Sequence, residues 1–152
     1  MKGEAKRHAT LAAPFSAQSL PAGALLLVDS APLIYTLEAH SSLAVRYAEL
    51  FARHAAGELR LAVSTVSIAE VLTGPLKAGK EALAKRYRAL LESWIVVSLD
   101  ADIAESAARL RGSYGLKLPD AVQLASALAI NADALVTHDR DFSRVSGITV
   151  LT

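Results

Sequence analysis

Short apolar runs alternate with helix-length stretches along most of this chain, and that alternation admits few architectures. The runs are ALLLVD (24–29), LRLAVS (59–64), IVVSL (95–99), ALVT (134–137) and ITVL (148–151). Each is strand-sized and lacks the polar alternation of a half-exposed strand, which marks strands covered on both faces. Helices are expected from Ser30, over 41–56, over 66–72 with a stop at Gly74-Pro75, over 80–93, over 101–113 and over 118–130. Leu83, Tyr87, Leu90, Leu91 and Trp94 fall near a 3.6-residue period, and 118–130 is apolar almost all round, which places it centrally. The expected fold class is α/β: a central, mostly parallel sheet of four to five strands flanked by helices on both faces.

The chain's 152 residues suffice for one domain with one core, and 53% of them are hydrophobic. No apolar run reaches the roughly 18 residues of a membrane helix. Lys2, Lys6 and Arg7 are not followed by the unbroken apolar stretch of about 7–15 residues that a secretory signal needs. The absence of cysteine removes disulfides and thiol chemistry, and a cytoplasmic location is expected. A net charge of +1 means that a nucleic-acid partner must be held by a local basic surface. Residues 1–23 carry Gly3, Pro14, Pro21 and Gly23 without a sustained period and read as a flexible N-terminal extension; 24–152 reads as the folded domain.

Four acidic residues stand at the ends of these elements. Asp29 closes the first run, Glu70 follows AVSTVSIA, Asp120 opens the central helix after Pro119, and Asp139 follows ALVTH. Each alone has an ordinary reading, as a helix cap, a surface residue or a turn former. Together they read as one site, because ligands gather at the carboxyl ends of parallel strands. Clustered carboxylates repel one another, and a hard divalent cation reverses that balance. The expected cofactor is Mg2+ (or Mn2+), and the chemistry such a site serves is hydrolysis of a phosphodiester.

These motifs resemble the PIN domain, and more narrowly the VapC-type toxin ribonucleases of toxin–antitoxin pairs. LLLVDSAPLIYTLE is similar to the family's opening strand and helix, STVSIAEVLTGPLKAGK to its second motif, and KLPDAVQLASALAINADALVTHDRDF to its last two. The resemblance covers residues 25 to about 152. It implies a PIN-like fold, with Asp29, Glu70, Asp120 and Asp139 as metal-ligating and catalytic residues. It further implies RNA as substrate, a homodimer, and a small antitoxin whose C-terminal segment blocks the acidic pocket. The long N-terminal arm departs from the family pattern. The alternatives are a solitary PIN nuclease of RNA processing and a non-catalytic PIN-fold binding module.

Other residues are assigned from position. Thr137 and Ser30 can hydrogen-bond a ligand or water, and Ser30 reads equally as the cap of the first helix. Asp141 is a supporting or alternative ligand. Lys77, Lys80, Arg86 and Arg140 are candidate contacts to RNA phosphates. Strand alternation turns His138 away from Thr137 and Asp139, and His8, His40 and His54 lack ligand spacing.

Overall fold

Five parallel strands form one sheet in the order β3-β2-β1-β4-β5: β1 (Leu25–Val28), β2 (Arg60–Ser64), β3 (Ile95–Val97), β4 (Ala134–Val136) and β5 (Thr149–Leu151). The computed structural model describes residues 16–39 and 41–152. The intervening helices are α1 (Ser30–Leu37), α2 (Ser41–Ala55), α3 (Thr65–Lys77), α4 (Glu81–Glu92), α5 (Ala101–Tyr114) and α6 (Leu118–Ala129). The α/β class, the parallel sheet and the two helical layers are as the sequence led us to expect.

Side chains of the central strands alternate between two cores. Leu26 and Val28 of β1, Leu61 and Val63 of β2, and Ala134 and Val136 of β4 join Leu33, Tyr47, Leu50, Val71 and Leu91 from α1 to α4. Leu25, Leu27, Ala62 and Leu135 point the other way, onto Ile103 and Ala107 of α5 and the buried face of α6. Every residue of β1 is buried, which explains its uninterrupted apolar sequence. Burying one such aliphatic side chain contributes about 1.5–3 kcal/mol. Residues 121–127 of α6 are all buried, so this helix is a core element.

The strand order places a switch in winding direction beside β1. From β1 the chain steps to β2 and β3 with α1 to α4 as crossovers on one face. It then returns to β4, on the other side of β1, through α5 and α6 on the opposite face. A reversal of winding direction with constant handedness requires that change of face. The register aligns Leu26 with both Leu61 and Ala134, so β1 and β4 end side by side. A crevice opens at the carboxyl ends of the strands where winding reverses.

Two local expectations need correction. Helix α3 does not stop at Gly74-Pro75 but runs on to Lys77. Pro75 gives up one backbone donor, yet it is buried one turn after Val71 on the same face, and the last turn keeps its other bonds: Ala78 N donates to Gly74 O at 3.1 Å and Lys80 N to Pro75 O at 2.9 Å. In α4, Leu91 is fully buried and Ala84 joins it, whereas Leu90 stays 42% exposed. Trp94 lies beyond the helix end and stacks on Phe51, with ring centroids 5.9 Å apart.

Residues 1–15 of the expected N-terminal extension lie outside the described residues. Of the remainder, Ala17–Ser19 forms a 3-10 turn whose Ala17 is buried in the first core. Arg53 of α2 donates to the carbonyls of Ala17 and Leu20.

Candidate metal centre

The crevice at the ends of β1 and β4 is acidic because of how three elements begin. Asp29 follows β1 directly, and its N–H donates to Val136 O at 2.8 Å, which continues the sheet one residue further. Its Oδ1 accepts the N–H of Ser30 at 2.7 Å, so Asp29 itself is the cap of α1. This corrects the cap expected at Ser30. With its backbone bound by Asp29, Ser30 is free to turn its hydroxyl elsewhere, and it donates to Glu70 Oε2 of α3 at 2.6 Å. Ser30 thereby links Glu70, 40 positions on, to the carboxylate of Asp29 that caps it.

Thr137 performs the equivalent service after β4. It is fully buried, donates from Oγ1 to Asp29 Oδ2 at 2.9 Å, and accepts the N–H of Asp139 at 3.0 Å. Asp139 in turn accepts the N–H of Asp141 at 2.8 Å and caps the 3-10 turn Arg140–Arg144. That turn folds Asp141 back toward the crevice. One carboxylate oxygen each from Asp120, Asp139 and Asp141 lies within 4.8 Å of the others. Asp120 reaches this point from the first turn of α6.

The charges in this group oppose one another. Asp29 is only 7% exposed, and burial raises its pKa above the usual carboxylate value. The Thr137 hydroxyl and Ser30 N–H work against that rise, while Glu70 and Asp139 add to it. Asp120 is raised to about 7, first by desolvation and then by the charges of Asp139 and Asp29. A hydrogen bond between the Asp120 and Asp139 carboxyls, which requires a proton on one of them, pushes it further, as does Asp141.

All four sequence-selected acids are therefore electrostatic neighbours, and Asp141 joins the tightest group. Among the described residues, none of the five is ion-paired with a lysine or arginine. Arg53–Glu58, Arg88–Glu92 and Arg109–Glu105 lie elsewhere. An all-oxygen donor set with no counter-ion among the described residues fits a hard divalent cation.

The profile of the PIN domain matches residues 26–148 of the chain. The chain belongs to the PIN domain family. Solved structures share its fold. A toxin–antitoxin complex from Klebsiella pneumoniae is 29% identical, covering 84% of this chain and 96% of that chain with a TM-score of 0.66. VapBC2 from Rickettsia felis, bound to a DNA fragment from its promoter, is 20% identical, covering 83% and 96% with a TM-score of 0.65. VapC20 from Mycobacterium tuberculosis, a toxin that cleaves the sarcin-ricin loop, is 18% identical, covering 84% and 99% with a TM-score of 0.64. The last two bear on the fold alone. No curated protein matches the chain.

In this PIN domain the basic candidates are placed by element alone. Lys77 lies two turns after Glu70 on α3, Lys80 and Arg86 belong to the start and middle of α4, and Arg140 stands between Asp139 and Asp141. All four are exposed, and among the described residues none is ion-paired. His138 faces Tyr35, with ring centroids 5.4 Å apart, and meets Tyr47 Oη through Nδ1 at 3.4 Å. His54 binds Leu59 O and packs edge-on to Trp94. His8 and His40 lie outside the described residues.

Sequence reasoning missed three polar contacts of this PIN domain: Ser30 to Glu70, Tyr47 to His138, and Gln123 of α6 to Ser67 of α3. Each joins residues at least 40 positions apart, and no local spacing signals them. The seryl and glutaminyl residues on otherwise apolar helix faces were the available hint.

Proposed function

We propose that this PIN domain is a VapC-type toxin, a metal-dependent endoribonuclease that hydrolyses RNA phosphodiester bonds. The observation that carries the reading is the convergence of Asp120, Asp139 and Asp141 within 4.8 Å, with no ion pair to a lysine or arginine among the described residues. Asp29 and Glu70 adjoin this group through Thr137 and Ser30. Asp29, Glu70, Asp120 and Asp139 would hold Mg2+ or Mn2+, with Asp141 as a further donor. A cation bound there supplies Lewis-acid stabilisation of charge at phosphorus and lowers the pKa of its water.

The chain's own residues do the rest. Thr137 fixes the orientation of the Asp29 carboxylate, and Ser30 fixes that of Glu70. Asp120, raised to about 7, would have to give up its proton to serve as a ligand. Lys77, Lys80, Arg86 and Arg140 contact backbone phosphates and draw RNA across the crevice.

The partner reading rests on the VapBC structures: a small antitoxin binds this chain and blocks the acidic crevice. The homodimer reading comes from the resemblance to the VapC-type toxins. No helix among the described residues is long and apolar enough to cross a membrane, and an RNA substrate puts the activity in the cytoplasm. The 1–23 extension is read as an appendage to a nuclease domain spanning 24–152.

The test is cleavage of a structured RNA with Mg2+, with EDTA, and by Asp120→Asn. Cleavage by the wild type with Mg2+ alone is expected. Cleavage that survives EDTA, or that Asp120→Asn retains in full, contradicts the reading.

A further inference from the structure

The two helices that carry Glu70 and Asp120 are tied together by a buried polar contact just behind the acids. Gln123 follows Asp120 by three residues on α6, and Ser67 precedes Glu70 by three on α3. Residues three apart share a helix face, so each of these lies beside its acid. The side-chain amide of Gln123 donates from Nε2 to Ser67 Oγ. Gln123 is 1% exposed and Ser67 is 0% exposed. Ser67 N donates onward to Ser64 Oγ at 3.1 Å, and Ser64 ends β2 and caps α3. One polar chain thus runs from the sheet through α3 into α6.

For stability alone this is a poor use of the position. Gln123 Oε1 is buried with no hydrogen-bond partner among the described residues, and so is Ser126 Oγ one turn further along α6. A buried acceptor left without a partner loses its hydration and regains nothing. A methionine would fill similar volume without that penalty. What an apolar side chain does not supply is direction: packing tolerates small slides of one helix on another, whereas a hydrogen bond fixes one register.

We propose that the Gln123–Ser67 hydrogen bond is a positioning contact that sets the spacing of Asp120 and Glu70 across α3 and α6, and so tunes the crevice for a divalent cation. Gln123 and Ser67 are positioning residues, acting through the acids beside them. The inference rests on the metal-centre reading given above and adds to it two residues that are not themselves ligands.

The experiment measures Mn2+ binding by calorimetry, and thermal unfolding without metal, for wild type, Gln123→Met, Ser67→Ala and the double variant. Gln123→Met should bind Mn2+ about tenfold more weakly while its metal-free Tm stays level or rises. Ser67→Ala strands the Gln123 amide, so it should lose both affinity and Tm. The double variant should bind no more weakly than either single one, because both remove the same contact. Equal affinity in wild type and Gln123→Met, or losses that add in the double variant, would overturn the positioning role. A metal-free Tm for Gln123→Met well below wild type would overturn it too, by assigning the glutamine to packing. Wild-type protein that takes up no Mn2+ would instead overturn the metal-centre reading itself.

Discussion

Thr137 Oγ1 donates to Asp29 Oδ2 at 2.9 Å across 108 positions of sequence, and the same oxygen accepts the N–H of Asp139 at 3.0 Å. A single buried hydroxyl therefore joins the ends of the two strands that flank the change in winding direction. It is the point at which the sheet's topology becomes the geometry of the crevice.

Thr137→Val keeps the shape of this side chain and removes its hydroxyl. The Asp29 carboxylate loses a donor in a buried setting and Asp139 N–H loses its acceptor in a part-buried one. We expect a stability loss of about 1–3 kcal/mol at pH 7, read by urea denaturation. Thr137→Ser retains the hydroxyl and should recover most of it. Equal losses in the two variants would show that the methyl group, not the hydroxyl, matters.

Ser30→Ala removes the hydrogen bond to Glu70, but Glu70 is exposed and water can replace the donor. The stability change should stay within about 1 kcal/mol. Mn2+ affinity should nonetheless fall severalfold, because Glu70 is no longer held in one orientation. Calorimetry separates the two effects, and unchanged affinity would remove Ser30 from the account.

The raised pKa of Asp120, about 7, makes a signed prediction for the metal-free protein. Its folded value lies above the unfolded value, so the folded state binds the extra proton. The corresponding stabilisation is complete below about pH 4 and is lost as pH rises through 7. Asp120→Asn, which stays neutral, should therefore gain Tm relative to wild type between pH 5 and pH 8. A difference that does not vary with pH would count against the crowding of charge at this carboxyl.

Metal uptake should carry the same signature. At pH 6 a bound cation must displace the proton on Asp120, and at pH 8.5 there is little proton to displace. Calorimetric titrations with Mn2+ in buffers of different ionisation enthalpy should show about one proton released at the lower pH and almost none at the higher. Release independent of pH would contradict this coupling.

The legible and illegible parts of the molecule divide by range. The uninterrupted apolar runs announced buried parallel strands, and Asp29, Glu70, Asp120 and Asp139 announced their convergence through position at element ends. Gly74-Pro75 misled because its punctuation is local, whereas the burial of Pro75 beside Val71 is tertiary and outweighs it. The capping role passed from Ser30 to Asp29 because the carboxylate reaches the Ser30 N–H at 2.7 Å, a choice between neighbours that composition does not decide. Asp141 gained importance only through the 3-10 turn that folds it back, and Gln123 through a contact 56 positions away.

If acids from four separate stretches of chain hold one divalent cation, anomalous diffraction from crystals soaked in Mn2+ will locate it. A strong peak is expected between the carboxylates of Asp120 and Asp139, lost in Asp120→Asn crystals treated alike. A peak elsewhere with none at these carboxylates, or one that Asp120→Asn leaves intact, would contradict that shared site.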